Sequence, residues 1–197
     1  MGLPLRKLDR RYTYADYCTW PDDERWELID GVAWNMSPAP STSHQAILGQ
    51  LYLQVAPPLE GNPCRVFLAP FDVILAETPD QADDDSPNVV QPDLTVVCDA
   101  SRLRERGCFG PPDWVVEILS PWTLQKDLDA KYALYERHGI REYWVIDPGS
   151  RTVHVYHLEP SGKFGDPVIH EGEARVTCPV GAGVAVHLTA LFSKVLR

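Results

Sequence analysis

The chain has no uninterrupted apolar run approaching the roughly 20 residues that a membrane-spanning helix needs; stretches such as Trp114-Val115-Val116 fall far short. Its first residues, Met1-Gly2-Leu3-Pro4-Leu5-Arg6-Lys7, lack the apolar core of a signal peptide, and Arg6 stands where a myristoylation signal needs Ser or Thr. A cytoplasmic protein is therefore expected. The five cysteines form no C-x-x-C pair, and their odd number argues against a complete disulfide framework. Reduced, mostly buried thiols are the expectation. The six histidines are scattered, and His154 and His157, three apart in a predicted strand, fall on opposite faces, so no zinc cluster is predicted. Basic residues are missing altogether from 77 to 99, a segment that carries seven acids. The net charge of −10 opposes nonspecific affinity for phosphate backbones, yet the other 174 positions together carry only −3.

What is present fits one domain: 197 residues, 44% hydrophobic and 23% charged, enough to bury a sizeable core. Basic residues gather in Arg6-Lys7-Leu8-Asp9-Arg10-Arg11 and Ser101-Arg102-Leu103-Arg104-Glu105-Arg106. Solvated faces are the reading preferred for both, with phosphate contact as the alternative.

Thr13 and Asp16 resemble a capping box for a short helix over Tyr14 to Thr19. Asp30-Gly31 between Trp26-Glu27-Leu28-Ile29 and Val32-Ala33-Trp34-Asn35-Met36 is a strong hairpin signal. Ser41 or Thr42 can cap a helix from about Ser43 toward Pro57, with His44, Leu48, Leu51 and Val55 on one face. Residues 65 to 76 read as strand material around Pro70, and Val89 to Cys98 as a strand interrupted by Pro92. The β-rich run Trp114 to Leu119 follows. Thr123 can then cap a helix in which Leu124, Leu128, Tyr132 and Tyr135 keep helical spacing until Gly139. Glu142 to Ile146 is the next strand, and short antiparallel strands fill Arg151 to Leu158 and Phe164 to Val186. This order predicts an α+β fold with a mixed β-sheet flanked by helices and additional antiparallel strands.

Two carboxylates stand out because strand interiors disfavour them. Glu117 sits among Val115, Val116, Ile118 and Leu119, and Asp93 opens the apolar strand Leu94-Thr95-Val96-Val97. A buried carboxylate must be paired, protonated or metal-bound. Were the two strands neighbours, the pair would converge in the way that holds Mg2+. A salt bridge or a solvated strand end explains each residue taken alone.

Pro92-Asp93, followed by Glu117-Ile118-Leu119 and a helix, resembles the Asp and Glu of the PD-(D/E)xK restriction-endonuclease-like superfamily. Glu27-Leu28-Ile29-Asp30-Gly31, Ser37-Pro38 with His44, Val90-Gln91-Pro92-Asp93, Val115 to Pro121, Asp127 with Lys131 and Tyr135, and Gly139 to Pro148 together resemble an Uma-type family of restriction-endonuclease-like proteins. These motifs cover about residues 12 to 192 of a single domain spanning 1 to 197. The resemblance implies Asp93 and Glu117 as metal ligands for Mg2+ or Mn2+, in a nuclease that hydrolyses phosphodiester bonds of nucleic acid, with DNA the expected substrate. It departs at the lysine, since the position two after Glu117 is Leu119. The resemblance suggests that Lys131, on the following helix, takes that role, while a surface ion pair with Asp127 is the plainer reading. Glu27 is a third candidate acid or an exposed partner of Arg25. His44 orients a water or phosphate, or is a satisfied histidine on a half-buried helix. Tyr135 reads as a core aromatic beneath the site. Related endonucleases often pair, so a homodimer is expected. The alternatives are a catalytically inactive nucleic-acid- or protein-binding module of the same fold, favoured by Leu119 and the acidic charge, and a glycosidase built on two carboxylates.

Overall fold

The computed structural model describes residues 6–7, 10–21, 23–36, 39–120, 126–180 and 183–195. In chain order the elements are β1 (Arg6–Lys7), α1 (Tyr14–Tyr17), β2 (Trp26–Ile29), β3 (Val32–Asn35), α2 (Thr42–Val55), β4 (Arg65–Leu68), β5 (Val73–Ile74), β6 (Val89–Val90) and β7 (Leu94–Val97). There follow β8 (Leu103–Arg104), β9 (Gly107–Phe109), β10 (Trp114–Ile118), α3 (Tyr132–Arg137), β11 (Glu142–Asp147), β12 (Thr152–His157), β13 (Val168–His170), β14 (Arg175–Thr177), β15 (Ala185–His187) and α4 (Leu188–Leu191). The α+β reading holds, with strands in two mixed sheets and a small hairpin. One sheet has seven strands in the order β1-β3-β2-β6-β5-β9-β8, the other six in the order β13-β12-β11-β10-β7-β4, and β14 pairs with β15.

Local chemistry sets the landmarks. The reciprocal Thr13 and Asp16 bonds form the expected capping box of α1. In the β2–β3 hairpin Asp30 and Gly31 have φ of 52° and 71°, the pair of left-handed residues that a two-residue hairpin of type I′ requires. Ser41 caps α2 by accepting from the His44 amide.

The central strands of the six-stranded sheet, β7, β10 and β11, are buried on both faces. Leu94, Val96, Trp114, Val116 and Ile118 face Ile47, Leu51 and Val55 of α2 and the apolar side of β14, β15 and α4. On the opposite face Val97, Val115, Tyr143 and Val145 meet Leu134 and Tyr135 of α3 and also Ile29, Val73, Val90 and Cys108 of the seven-stranded sheet. Trp114 and Trp144 are core residues, with ring centroids 4.7 Å apart.

Several expectations need correction. Val89 to Cys98 is not one strand: β6 belongs to the seven-stranded sheet and β7 to the six-stranded one, and Gln91-Pro92-Asp93 is the crossing between them. Pro92 has no amide hydrogen to donate, which fits the end of one ladder. The segment before α3 is not α-helical, since Lys126–Lys131 forms a π-helical turn. Its wider i→i+5 turn breaks the face counted at 3.6 residues per turn, and Leu128, expected on the buried side, is 39% exposed. The capping role given to Thr123, the Ser37-Pro38 motif and the Asp127 side chain lie outside the described residues. Finally, Cys64 and Cys98 form a disulfide instead of remaining reduced. They stand one step beyond the Arg65–Val97 pair of β4 and β7, a juxtaposition that a sequence separation of 34 conceals.

Gly107 marks a close approach that supports the site described next. Its φ is 149°, and an added Cβ would run into the backbone carbonyl oxygen of Asp72, which accepts from the Cys108 amide. Gly107→Ala is expected to cost on the order of 2 kcal/mol through backbone strain and displacement of Asp72, read from urea unfolding.

Candidate active site

Two carboxylates from the two sheets meet one ammonium between them. Glu117 projects from β10 on the face of Val115, and Glu27 projects from β2 on the face of Ile29. The Lys131 Nζ, at the end of the π-helical turn, lies 2.8 Å from Oε1 of each. Glu27, Glu117 and Lys131 are 0%, 3% and 1% exposed. Lys131 is therefore a buried group and not the surface ion-pair partner that its spacing allowed. Glu27 is likewise no exposed partner of Arg25.

Each carboxylate has a second anchor. The Tyr135 hydroxyl, one turn past Lys131, donates to Glu117 Oε1 at 2.7 Å. Burial, with the charges of Glu117 and Glu27 adding to it, lifts the Tyr135 pKa well above 10, so the hydroxyl remains a neutral donor. Tyr135 thus combines the expected core ring with a polar contact that its spacing did not reveal. Glu27 Oε1 accepts from the Gln91 amide at 2.8 Å.

Asp93 stands at the next position outward from the Leu94–Val116 pair, which sets it across from Glu117. The Asp93 Oδ2 accepts from the Ile118 amide at 2.7 Å and lies 3.1 Å from His44 Nε2 in the first turn of α2. His44 Nδ1 is buried and has no partner among the described residues. The five candidates thus fall into two adjoining groups: Glu27, Glu117 and Lys131 on the α3 side of the strands, and Asp93 with His44 at the strand end, beside the start of α2. Among the described residues, no group of three or more His, Cys, Asp and Glu is arranged to hold a metal ion. Hard oxygen donors are nonetheless what Mg2+ takes, and one or two carboxylates with water and substrate phosphate usually suffice. The Asp93 and Glu117 donor set fits that chemistry.

A polar network escaped the sequence reading. The Gln91 side chain donates through Nε2 to Asp72 Oδ1 at 2.8 Å and to the Tyr17 hydroxyl at 3.1 Å, while its Oε1 accepts from Arg25 Nη2 at 2.8 Å. Tyr17 also donates to Asp72 Oδ1 at 3.0 Å. The only signal was Gln91 itself, a polar residue beside the Pro92-Asp93 crossing; residues 17, 25 and 72 carry no periodic mark.

The model of the Uma2 family, whose description is "putative restriction endonuclease", matches residues 14–190. The chain belongs to this family. A crystal structure of a putative nuclease of the DUF820 group from Anabaena variabilis is similar over 93% of this chain and 99% of its own, with a TM-score of 0.70 and 25% identity. Its likeness makes the fold restriction-endonuclease-like. An uncharacterised protein of Synechocystis sp., slr1290, is 25% identical over 152 residues, 76% of this chain and 75% of its own. Among the described residues of this Uma2 member, no helix is long and apolar enough to cross a membrane.

Burial is the leading cause that raises the Asp72 pKa; the Gln91 and Tyr17 hydrogen bonds oppose it. An acid whose folded pKa lies above its unfolded value, about 3.9, loses stabilising free energy as pH rises from that value through the folded one. Asp72→Asn retains an oxygen acceptor for Tyr17 and Gln91 without this dependence. Urea unfolding at pH 4 to 7 should show the variant gaining on wild type as pH climbs, and parallel curves would remove the assignment.

Proposed function

We propose that this Uma2 protein is a metal-dependent nuclease that hydrolyses phosphodiester bonds of nucleic acid, DNA by expectation, with Asp93 and Glu117 as the ligands of Mg2+ or Mn2+. The observation that carries the reading is the Lys131 ammonium delivered to Glu117 from the segment after β10. It supplies from a helix the cation that Leu119 cannot supply from the strand. Glu27, Glu117, Asp93 and Lys131 sum to a formal −2, the charge that a divalent cation neutralises.

In this reading Asp93 and Glu117 hold the cation, and the His44 and Ile118 contacts fix Asp93 while Tyr135 and Lys131 fix Glu117. The chemistry supplied there by a bound cation is polarisation of the phosphoryl oxygen and a lowered pKa for bound water. Lys131 would orient an attacking water or offset charge developing on the phosphoryl group, and Glu27 keeps the ammonium in place. His44 is also within reach to steer a water or a phosphate. The reading places the enzyme in the cytoplasm as a homodimer; a monomeric mass in light scattering at assay concentration would remove the dimer.

Purified protein should cleave DNA in millimolar Mn2+ and be silent in chelator. Asp93→Asn and Glu117→Gln are each expected to lower the rate by about 100-fold or more while remaining folded. Lys131→Ala is a poorer probe, because it leaves two buried carboxylates without their shared cation at a cost of roughly 3–5 kcal/mol. A second reading, an inactive binding module, is favoured by the net charge of −10 and by the cation already seated at Glu117. No cleavage of DNA or RNA by folded wild type would favour it, and cleavage that survives both carboxamide substitutions would remove the assignment of Asp93 and Glu117.

A further inference from the structure

Most arginines near the molecule's acids are already matched. Arg10 pairs with Asp16, Arg102 with Asp99, Arg104 with Asp83, Arg137 with Asp30 and Glu77, and Arg141 with Asp113. Arg25 differs. It is half-buried, and it pairs with no carboxylate among the described residues. Its Nη2 donates to the neutral amide of Gln91, and its Nε is buried without an acceptor among the described residues. The acids around it are engaged elsewhere: Glu24 accepts from the Trp26 indole at 2.8 Å, Glu27 from Lys131 and the Gln91 amide, and Asp72 from Tyr17 and Gln91.

The position matters as much as the missing counter-ion. Arg25 lies two residues before Glu27, on the same side of an extended segment, and rests on the side chain two residues before Asp93. Gln91 also fixes the guanidinium. Its amide nitrogen is committed to Asp72 and Tyr17, so its oxygen must face Arg25. A partly desolvated cation without an anion is costly, and a guanidinium presents parallel donors that match two oxygens of a phosphate.

We propose that Arg25 binds a phosphate of the substrate and seats it beside Asp93 and Glu117. The proposal deepens the nuclease reading and rests on it for the identity of the ligand, a phosphodiester of a nucleic acid; a free phosphate group shares the same chemistry. Arg25 is a substrate-binding residue, and Gln91 is the positioning residue behind it.

The test uses full-length wild type, Arg25→Ala and Arg25→Lys in chelator, so that no cleavage occurs. A fluorescein-labelled DNA oligonucleotide is titrated by anisotropy across a NaCl series, and inorganic pyrophosphate is titrated calorimetrically. Arg25→Ala should bind DNA roughly tenfold more weakly or worse, with a slope of log affinity against log salt smaller by about one. Arg25→Lys should keep the slope but recover only part of the affinity, because it lacks the two-pronged donor. The melting temperature should stay near wild type in both. Equal affinity and equal slope for wild type and Arg25→Ala overturn the proposal. If wild type binds pyrophosphate through Arg25 but, in the same titration, neither DNA nor an RNA oligonucleotide, the anion site stands and the nuclease reading falls. If wild type binds DNA independently of Arg25, the nuclease reading survives and this assignment falls; if it binds none of the three probes, both fall.

Discussion

A lysine ammonium closed off from water can persist only where charges of opposite sign come to it, and at Lys131 they come from two different sheets. Glu27 belongs to the seven-stranded sheet and Glu117 to the six-stranded one, each 2.8 Å from Nζ. Desolvating three ionised groups costs several kcal/mol per ion, and the mutual attraction in a low dielectric offsets this only when the geometry is held closely. The Tyr135 hydroxyl on Glu117 and the Gln91 amide on Glu27 supply that hold. Such an arrangement adds little net stability, but it penalises any relative shift of the sheets or of the turn that carries the lysine. Its effect is specificity of arrangement more than strength.

The same constraint explains the crossing at Gln91-Pro92-Asp93. Three consecutive residues have three different tasks: the Gln91 amide caps Glu27, Pro92 sits where the ladder of one sheet ends, and the Asp93 carboxylate receives the first amide beyond Glu117. A chain passing between sheets in so few residues leaves side chains near the gap that are neither core nor surface. Asp72, Tyr17 and Arg25 gather there on the Gln91 side chain. The close packing of Gly107 against the Asp72 backbone fixes the outer edge of this cluster.

Much of this was legible in the sequence. Asp30-Gly31, the Thr13 capping box and the Ser41 cap act over a few residues, and each appeared where its chemistry predicted it. Adjacency of the Asp93 and Glu117 strands, the condition under which the two carboxylates converge, is present as the antiparallel pairing of β7 with β10. What failed depended on long-range or aperiodic features. The split of residues 89 to 98 between two sheets looks locally like one interrupted strand, because alternation carries no record of which ladder a residue joins. The π-helical turn defeated a count based on 3.6 residues per turn, so Leu128 was assigned to the wrong side while Lys131 still reached the carboxylates. The Cys64–Cys98 bond and the Gln91 network join residues whose proximity exists only after both sheets have formed.

The acidic charge acquires a different meaning once its location is known. Asp83, Asp84 and Asp85 form a short turn with none of the three buried, and two of the basic residues in the cluster at 101 to 106 are spent on this segment and on Asp99: Arg104 on Asp83 and Arg102 on Asp99. That cluster is therefore partly neutralised within the chain, which favours the solvated-face reading over a phosphate patch. At an effective dielectric near that of a protein surface, charges separated by more than about 10 Å are largely screened in ordinary salt. The potential felt by an anion at Asp93 is then set by its immediate neighbours more than by the net charge of −10. In the proposed arrangement those neighbours are a lysine fixed between two acids and an arginine fixed on an amide. A globally acidic protein can on this account still receive a phosphate at one mouth, provided that the local cations are placed before the substrate arrives, and both of these are held in place by hydrogen bonds made within the fold.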